Sequence, residues 1–162
     1  MALLILLRHA KTEATASSGR DFDRALTERG WRDAALIGQA LAERGLAPDL
    51  VLVSTARRAM QTCEAAAPAF PDAETRFDPG LYHASPIRLD MTARAEAGRR
   101  LMIVAHNPGL HDYALELAAG QEGMSQLGGF PTAAAAVFDI DASGAPRLKA
   151  MLAPSALGGG AS

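Results

Sequence analysis

Three short, largely apolar runs, at residues 3–8, 49–54 and 100–105, constrain the fold of this chain most strongly. A continuous apolar run of this length is typical of a strand buried on both faces, as in a parallel sheet covered by helices. Amphipathic helical patterns separate the runs; within residues 26–45, for example, Trp31, Ala34 and Leu41 share one face. The alternation predicts an α/β fold with a mostly parallel central sheet between helices. Residues 134–141 and 147–152 are predicted to close the sheet as a hairpin or edge pair.

The composition is that of a single globular domain. Of the 162 residues, 49% are apolar and 21% are charged, which argues against disorder. A net charge of −2 without a basic run argues against nucleic-acid or membrane-surface partners. The lone Cys63, the lack of zinc-type ligand spacing and the short N-terminal apolar run that ends at Arg8 predict a cytoplasmic protein without a structural metal. We predict one domain over residues 1–153 and a disordered tail over residues 154–162.

Polar residues follow each of the three predicted buried strands. They are Arg8-His9 after the first, Ser54 with Arg57-Arg58 after the second, and His106-Asn107 after the third. Because the carboxyl ends of parallel strands meet at one edge of a sheet, two histidines and at least two arginines are expected to converge there. Arginine offers a planar fork that matches phosphate oxygens, and a neutral imidazole supplies a nucleophile or a hydrogen bond. The sequence therefore predicts a phosphate site.

The motifs around these residues resemble a known family. In order and spacing, LLRHAKTE, DFDRALTERGWRDA, STARRAMQTCE, LYHAS and VAHNPGL are similar to the histidine phosphatase (phosphoglycerate mutase-like) superfamily, and specifically to its SixA-type phosphohistidine phosphatase branch. The resemblance covers about residues 2–119. It implies a three-layer α/β/α sandwich and a phosphatase that uses neither a metal nor a cofactor.

The resemblance also implies roles for four residues. His9 would be the nucleophile that accepts the phosphoryl group, and Arg8 beside it would bind the phosphate. The motif Ser-x-x-x-Arg-Ala-x-Gln-Thr assigns the second phosphate-binding arginine to Arg58 rather than Arg57. His106 would donate a hydrogen bond to the phosphoryl group in transfer. The nearby arginines should lower the pKa of His9 and so keep its imidazole neutral.

One departure from the broader superfamily bears on the substrate. Many members that cleave phosphate esters carry a carboxylic acid, usually Glu, before the helix that starts after Ser85. Here Asp78 is the only carboxyl group in the matching segment. An alkoxide is a poor leaving group without a proton donor, whereas the P–N bond of phosphohistidine is already activated. The sequence therefore favours phosphohistidine, or another phosphoramidate, carried on a protein; the chain has no room for a lid over the site.

Other interpretations stay open at this point. The chain could be a small-molecule phosphomonoesterase that uses Asp78 as the acid, with Asp112 as another donor, or a non-catalytic phosphate-binding module. His83 and His111 are expected to be structural residues or residues at the rim of the site. Ser54 is expected to cap the helix that follows it.

Overall fold

The computed structural model describes residues 2–160. Its strands are β1 (Ala2–Arg8), β2 (Leu50–Ser54), β3 (Glu74–Asp78), β4 (Arg100–Ala105), β5 (Ala135–Ile140) and β6 (Pro146–Leu152). Its α-helices are α1 (Glu28–Glu43), α2 (Arg57–Ala66), α3 (Pro86–Ala95) and α4 (Gly109–Ala118). Short 3₁₀ helices cover Asp21–Asp23, Ala67–Ala69, Pro79–Leu81, Glu122–Leu127 and Pro154–Leu157. Within residues 2–160, no helix has both the length and the apolar character that crossing a bilayer requires.

The strands form a single sheet in the order β3-β2-β4-β1-β5-β6. Strands β1 to β4 run parallel to one another, β5 pairs antiparallel with β1, and β6 pairs antiparallel with β5. Alternate residues of β1 point to opposite faces, as a strand requires. Ile5 and Leu7 join the core under α1 and α2, whereas Leu4 and Leu6 join the core under α3 and α4. The predicted α/β/α sandwich with a mostly parallel sheet is confirmed.

Two glycines let loops approach helices closely near the carboxyl ends of the strands. A Cβ at Gly30, in the first turn of α1, would overlap the carbonyl oxygen of Lys11 in the loop that follows β1. A Cβ at Gly109, where α4 begins, would overlap the carbonyl oxygen of Ala84. Glycine at these positions therefore allows the loops after β1 and β3 to pack against the helices beside them.

The predicted tail differs from the structure. Residues 154–160 are ordered against α1: Pro154 is buried, and the backbone N–H of Gly160 donates to the carboxylate of Asp33 at 3.0 Å. Asp33 is itself buried, so its carboxylate requires hydrogen-bond donors, and the glycine-rich backbone can reach it. The prediction of disorder from residue 154 is therefore wrong for residues 154–160. Residues 161 and 162 lie outside the described residues, and the extent of the domain, residues 1–153, stays a prediction.

Shortening a central core side chain should destabilise the fold. Leu6 is fully buried in β1, which lies between β4 and β5. We expect Leu6→Ala to lower the free energy of unfolding by about 2–5 kcal/mol, because it removes buried methyl groups and leaves a cavity. Urea denaturation measures the free energy of unfolding of each variant. Ile87→Ala is the control, because Ile87 is 75% exposed. Equal losses in both variants would contradict the assigned core.

Candidate active site

The predicted convergence of polar residues occurs at the carboxyl ends of the parallel strands. Arg8, the last residue of β1, is paired in register with Ala105, the last residue of β4. His9 and His106 are the next residues along the two strands, and their ring centroids lie 5.4 Å apart. Arg58 reaches the same edge from the first turn of α2. The sheet register thus places two imidazoles side by side.

His9 is held in one tautomer by the backbone carbonyl of Ala10. The Nδ1–H donates to the carbonyl oxygen of Ala10 at 2.9 Å, and because a carbonyl only accepts, the ring proton resides on Nδ1. The Nε2 lone pair is therefore available to a substrate. Burial, together with the positive charges of Arg58 and Arg8, lowers the pKa of His9 to about 4. The imidazole of His9 is therefore neutral at physiological pH.

His106 is oriented by Ser54, its neighbour at the end of β2. The Nε2 of His106 lies 2.7 Å from Ser54 Oγ, which also accepts the backbone N–H of Ala56 at 3.3 Å. We assign the Ser54 hydroxyl as the donor to Nε2, which leaves the ring proton on Nδ1. Burial, then the charge of Arg58, lowers the pKa of His106 to about 3. The expectation that Ser54 caps α2 is wrong, because Ala56 occupies the N-cap position and Ser54 instead holds His106.

The two predicted phosphate-binding arginines are anchored by main-chain oxygens. Arg8 donates to the carbonyl of Phe130 at 3.1 Å, and Arg58 donates to the carbonyl of Asp21 at 2.8 Å. Arg58 also donates to the Asp21 carboxylate at 2.9 Å and is only 3% exposed. Burial, and then the charge of Arg58, lowers the pKa of Arg8. Arg57, the local competitor in the sequence, is exposed on the surface of α2.

Three buried donors at this edge of the sheet lack a partner among residues 2–160. They are the Nε atoms of Arg8 and Arg58 and the Nδ1 of His106. Burying such groups without hydrogen bonds is costly, so a site that keeps several of them together is suited to an acceptor from outside the chain. The two arginine side chains are permanently cationic, so an anion is the acceptor that fits best. A phosphoryl group has oxygens for all three donors.

Asp21, Tyr82 and His83 also belong to the site, and the sequence analysis assigned no role there to Asp21 or Tyr82. The Asp21 carboxylate accepts hydrogen bonds from Tyr82 Oη at 2.7 Å and Arg24 at 3.0 Å, besides Arg58, and it lies 3.5 Å from His83 Nε2. These bonds, that of Tyr82 first, hold the pKa of Asp21 well below its usual range. Asp21 is thus an anion that joins the loops after β1 and β3 to α2. Its only signal in the sequence is its place in the DFDRALTERG motif.

The two carboxyl groups considered as proton donors have other surroundings. Asp78 accepts the backbone N–H of Gly80 at 2.8 Å, and its carboxylate lies 3.8 Å from the Arg88 guanidinium. Asp112 is exposed in the first turn of α4, where it lines a small cleft with His83. Among the described contacts, neither carboxyl group meets His9 or His106.

The remaining candidates lie outside this cluster. The backbone N–H of His111 donates to the side-chain oxygen of Asn107 at 3.2 Å, and its ring centroid lies 5.7 Å from that of Phe130. Cys63 is buried in the core between α2 and the sheet, as its apolar helical pattern indicates.

The comparisons with known proteins agree with the fold and the site. The sequence profile of the histidine phosphatase superfamily, branch 1, matches residues 4–101. An uncharacterized protein of Mycobacterium tuberculosis is 35% identical over 143 residues, which cover 83% of this chain and 87% of that protein. An uncharacterized chloroplastic protein of Arabidopsis thaliana is 40% identical over 82 residues, which cover 49% of this chain and only 38% of that longer protein.

Solved structures show the same relationship. A protein of Agrobacterium tumefaciens assigned as the phosphohistidine phosphatase SixA superposes with a TM-score of 0.85 at 35% identity, over 94% of this chain and 98% of that one. A phosphoglycerate mutase of Plasmodium falciparum shares the fold, with a TM-score of 0.65 at 17% identity over 92% and 89% of the two chains.

The family profile and the match to the Agrobacterium structure define the class of this protein as a phosphatase. More specifically, the chain belongs to the histidine phosphatase superfamily, branch 1. Its predicted place in the SixA-type branch is confirmed by the match to the Agrobacterium structure.

The lowered pKa values predict a pH dependence of stability. His9 and His106 stay neutral in the folded protein down to about pH 4 and about pH 3, whereas an unfolded histidine takes up its proton near 6.5. Between these values the unfolded state binds more protons, so the free energy of unfolding should fall as the pH falls from 6.5 to 4. Denaturation at several pH values measures this. We expect a shallower dependence in His106→Gln, and an unchanged slope would contradict the assigned protonation states.

Proposed function

We propose that this protein hydrolyses phosphohistidine on a protein through a phosphohistidine intermediate on His9. The observation that carries the proposal is the set of buried donors of Arg8, Arg58 and His106, which find no partner within residues 2–160 and lie around a neutral imidazole. A binding module also needs anion donors, but it does not need a nucleophile with a fixed lone pair.

The first step is attack on the phosphorus atom by the Nε2 lone pair of His9. Phosphoryl transfer asks the protein chiefly for positioning and for stabilisation of charge on the equatorial oxygens. Arg8, Arg58 and the Nδ1–H of His106 supply fixed donors for those oxygens, and being fixed they reorganise little during the reaction. Water then attacks the phosphoryl group on His9, and inorganic phosphate leaves.

The hydrogen bond between His9 Nδ1 and Ala10 prepares the second step. With a proton retained on Nδ1, the phosphorylated ring leaves as neutral imidazole when its bond to phosphorus breaks, rather than as an anion. The Ala10 carbonyl, at 2.9 Å from Nδ1, therefore both exposes the nucleophilic nitrogen and activates the intermediate for hydrolysis.

Two observations favour a phosphorus–nitrogen bond as the target. The carboxylate of Asp21, whose charge acts on His106, is held ionised by Tyr82 and the arginines, so it has no proton to give an alkoxide. The Agrobacterium relative is also assigned as a phosphohistidine phosphatase.

The exposed rim formed by His83 suits a phosphorylated residue on a protein surface. The cytoplasm remains the predicted compartment, on the sequence argument above.

Trapping the intermediate tests the proposal. The protein is mixed with a histidine peptide phosphorylated by phosphoramidate or with p-nitrophenyl phosphate, quenched rapidly without acid, and measured by intact-mass spectrometry. We expect one phosphate adduct that is labile to acid and missing in His9→Ala, because Nε2 of His9 is the nucleophile. If no adduct forms and no phosphate is released from either compound, the chain is a phosphate-binding module.

The adjacent arginines provide a matched control for the same experiment. We expect Arg58→Ala to slow adduct formation by about 100- to 1000-fold, because it removes a preorganised donor from the phosphoryl group. Arg57→Ala removes the same charge one residue away on the exposed surface and should leave the rate close to that of the wild type. Similar losses in both variants would contradict the assignment of Arg58. Asp78→Asn tests the phosphomonoesterase alternative, which requires a large loss with an alkyl phosphate.

A further inference from the structure

We propose that His83 delivers the proton that the departing imidazole of a phosphohistidine substrate requires; this inference rests on the function proposed above. His83 lies between β3 and α3, with its side chain 56% exposed. Its ring centroid is 5.6 Å from that of His106 and 4.1 Å from that of Tyr82. The imidazole is therefore both open to an incoming protein and adjacent to the paired histidines.

The backbone fixes this position of His83. Its φ of 55° lies in the left-handed region, which residues other than glycine adopt infrequently. The residues on either side of the turn, Leu81 and Ala84, are buried, and the N–H of Ala84 donates to the carbonyl of Leu81 at 3.2 Å. Gly109 makes room for the Ala84 carbonyl. A non-glycine residue held in this conformation by its surroundings is a common feature of functional sites.

The chemistry of the substrate determines where a proton donor has to be. In phosphohistidine one ring nitrogen bears the phosphoryl group, and the ring leaves as neutral imidazole only if its other nitrogen carries a proton. For His9 that need is met by the Nδ1–H held against Ala10. For the substrate, the proton donor has to lie about one imidazole ring width from the phosphorus atom. This places the donor at the exposed rim of the site rather than beside His9, and His83 lies at that rim.

Two carboxylates lie close to His83. Asp21, from the loop after β1, places a carboxylate oxygen 3.5 Å from His83 Nε2, and Asp112 faces the same cleft from α4. The neighbouring cations Arg58 and Arg24 are both paired with Asp21, at 2.9 Å and 3.0 Å. The Tyr82 hydroxyl donates to Asp21, and the neighbouring His106 is neutral, since burial lowers its pKa to about 3. The imidazole of His83 is thus next to an ionised carboxylate.

Protons and electrons are conserved over the proposed cycle. His83 imidazolium gives a proton to the distal nitrogen of the substrate ring, the His9 Nε2 lone pair forms a bond to phosphorus, and the electron pair of the breaking P–N bond remains on the departing neutral imidazole. Water then attacks phosphorylated His9, its proton passes to the now neutral His83, and the P–N electron pair returns to His9 Nε2. Phosphohistidine and water become histidine and phosphate, with His83 charged again.

The test compares substrates whose leaving groups differ in their need for a proton. In His83→Asn the titratable ring is lost, whereas asparagine tolerates the left-handed backbone, so the turn is preserved. Steady-state rates are measured for the wild type and His83→Asn with the phosphohistidine peptide and with p-nitrophenyl phosphate, whose phenolate leaves with little help. His111→Asn, the same substitution at a histidine outside the cluster, is the matched control.

We expect His83→Asn to lower kcat/KM for the phosphohistidine peptide by about 100-fold, and to lower it much less for p-nitrophenyl phosphate. The fall in the wild-type rate at high pH with the peptide should be missing in the variant. Unchanged turnover of the peptide, or equal losses with both substrates, would overturn the proposal, since equal losses indicate a structural role. A wild type that forms no adduct on His9 would instead contradict the proposed function itself.

Discussion

The concentration of positive charge at the carboxyl ends of β1, β2 and β4 is the constraint on which the site depends. Arg8 is half-buried and Arg58 is buried, and partial burial and then the charge of Arg58 lower the pKa of Arg8. The part of the chain described here leaves the Nε atoms of both arginines without partners. Hydrophobic packing on both faces of the sheet supports this arrangement, because the strands beneath it are almost fully buried. A phosphoryl group that enters the site replaces repulsion between donors with charge-assisted hydrogen bonds.

Burial and the same positive charge together set the protonation states of the paired histidines. Burial disfavours the charged form of His9 and His106, and protonation would also add a cation beside Arg58, so both imidazoles remain neutral. Neutral His9 then offers Nε2 because Ala10 holds the proton on Nδ1. The Asp21 carboxylate reduces the repulsion between the cations, because it pairs with Arg58 through Nη2. The Nε of Arg58 keeps no partner among the described residues. Burial and charge at this edge of the sheet therefore set the protonation states together.

The sequence predicted the sheet and the histidine cluster well because these depend on local patterns. The apolar runs mark β1, β2 and β4, and parallel strands necessarily bring the residues after them, His9 and His106, to one edge. The network around Asp21 could not be predicted, because it depends on contacts between residues up to 61 positions apart on loops without periodicity. The ordering of residues 154–160 was missed because it depends on Asp33, a buried carboxylate on the core face of α1, where the pattern indicated only apolar residues.

The most direct test of the account is to identify the nitrogen that bears phosphorus in the enzyme intermediate. The protein labelled with ¹⁵N at histidine is phosphorylated at neutral pH, and the coupling between ¹⁵N and ³¹P is measured by NMR. We expect coupling to Nε2 of His9 with the proton still on Nδ1, because the Ala10 carbonyl accepts a hydrogen bond from Nδ1 at 2.9 Å. Phosphorus on Nδ1 of His9, or on another residue, would contradict the assigned nucleophile.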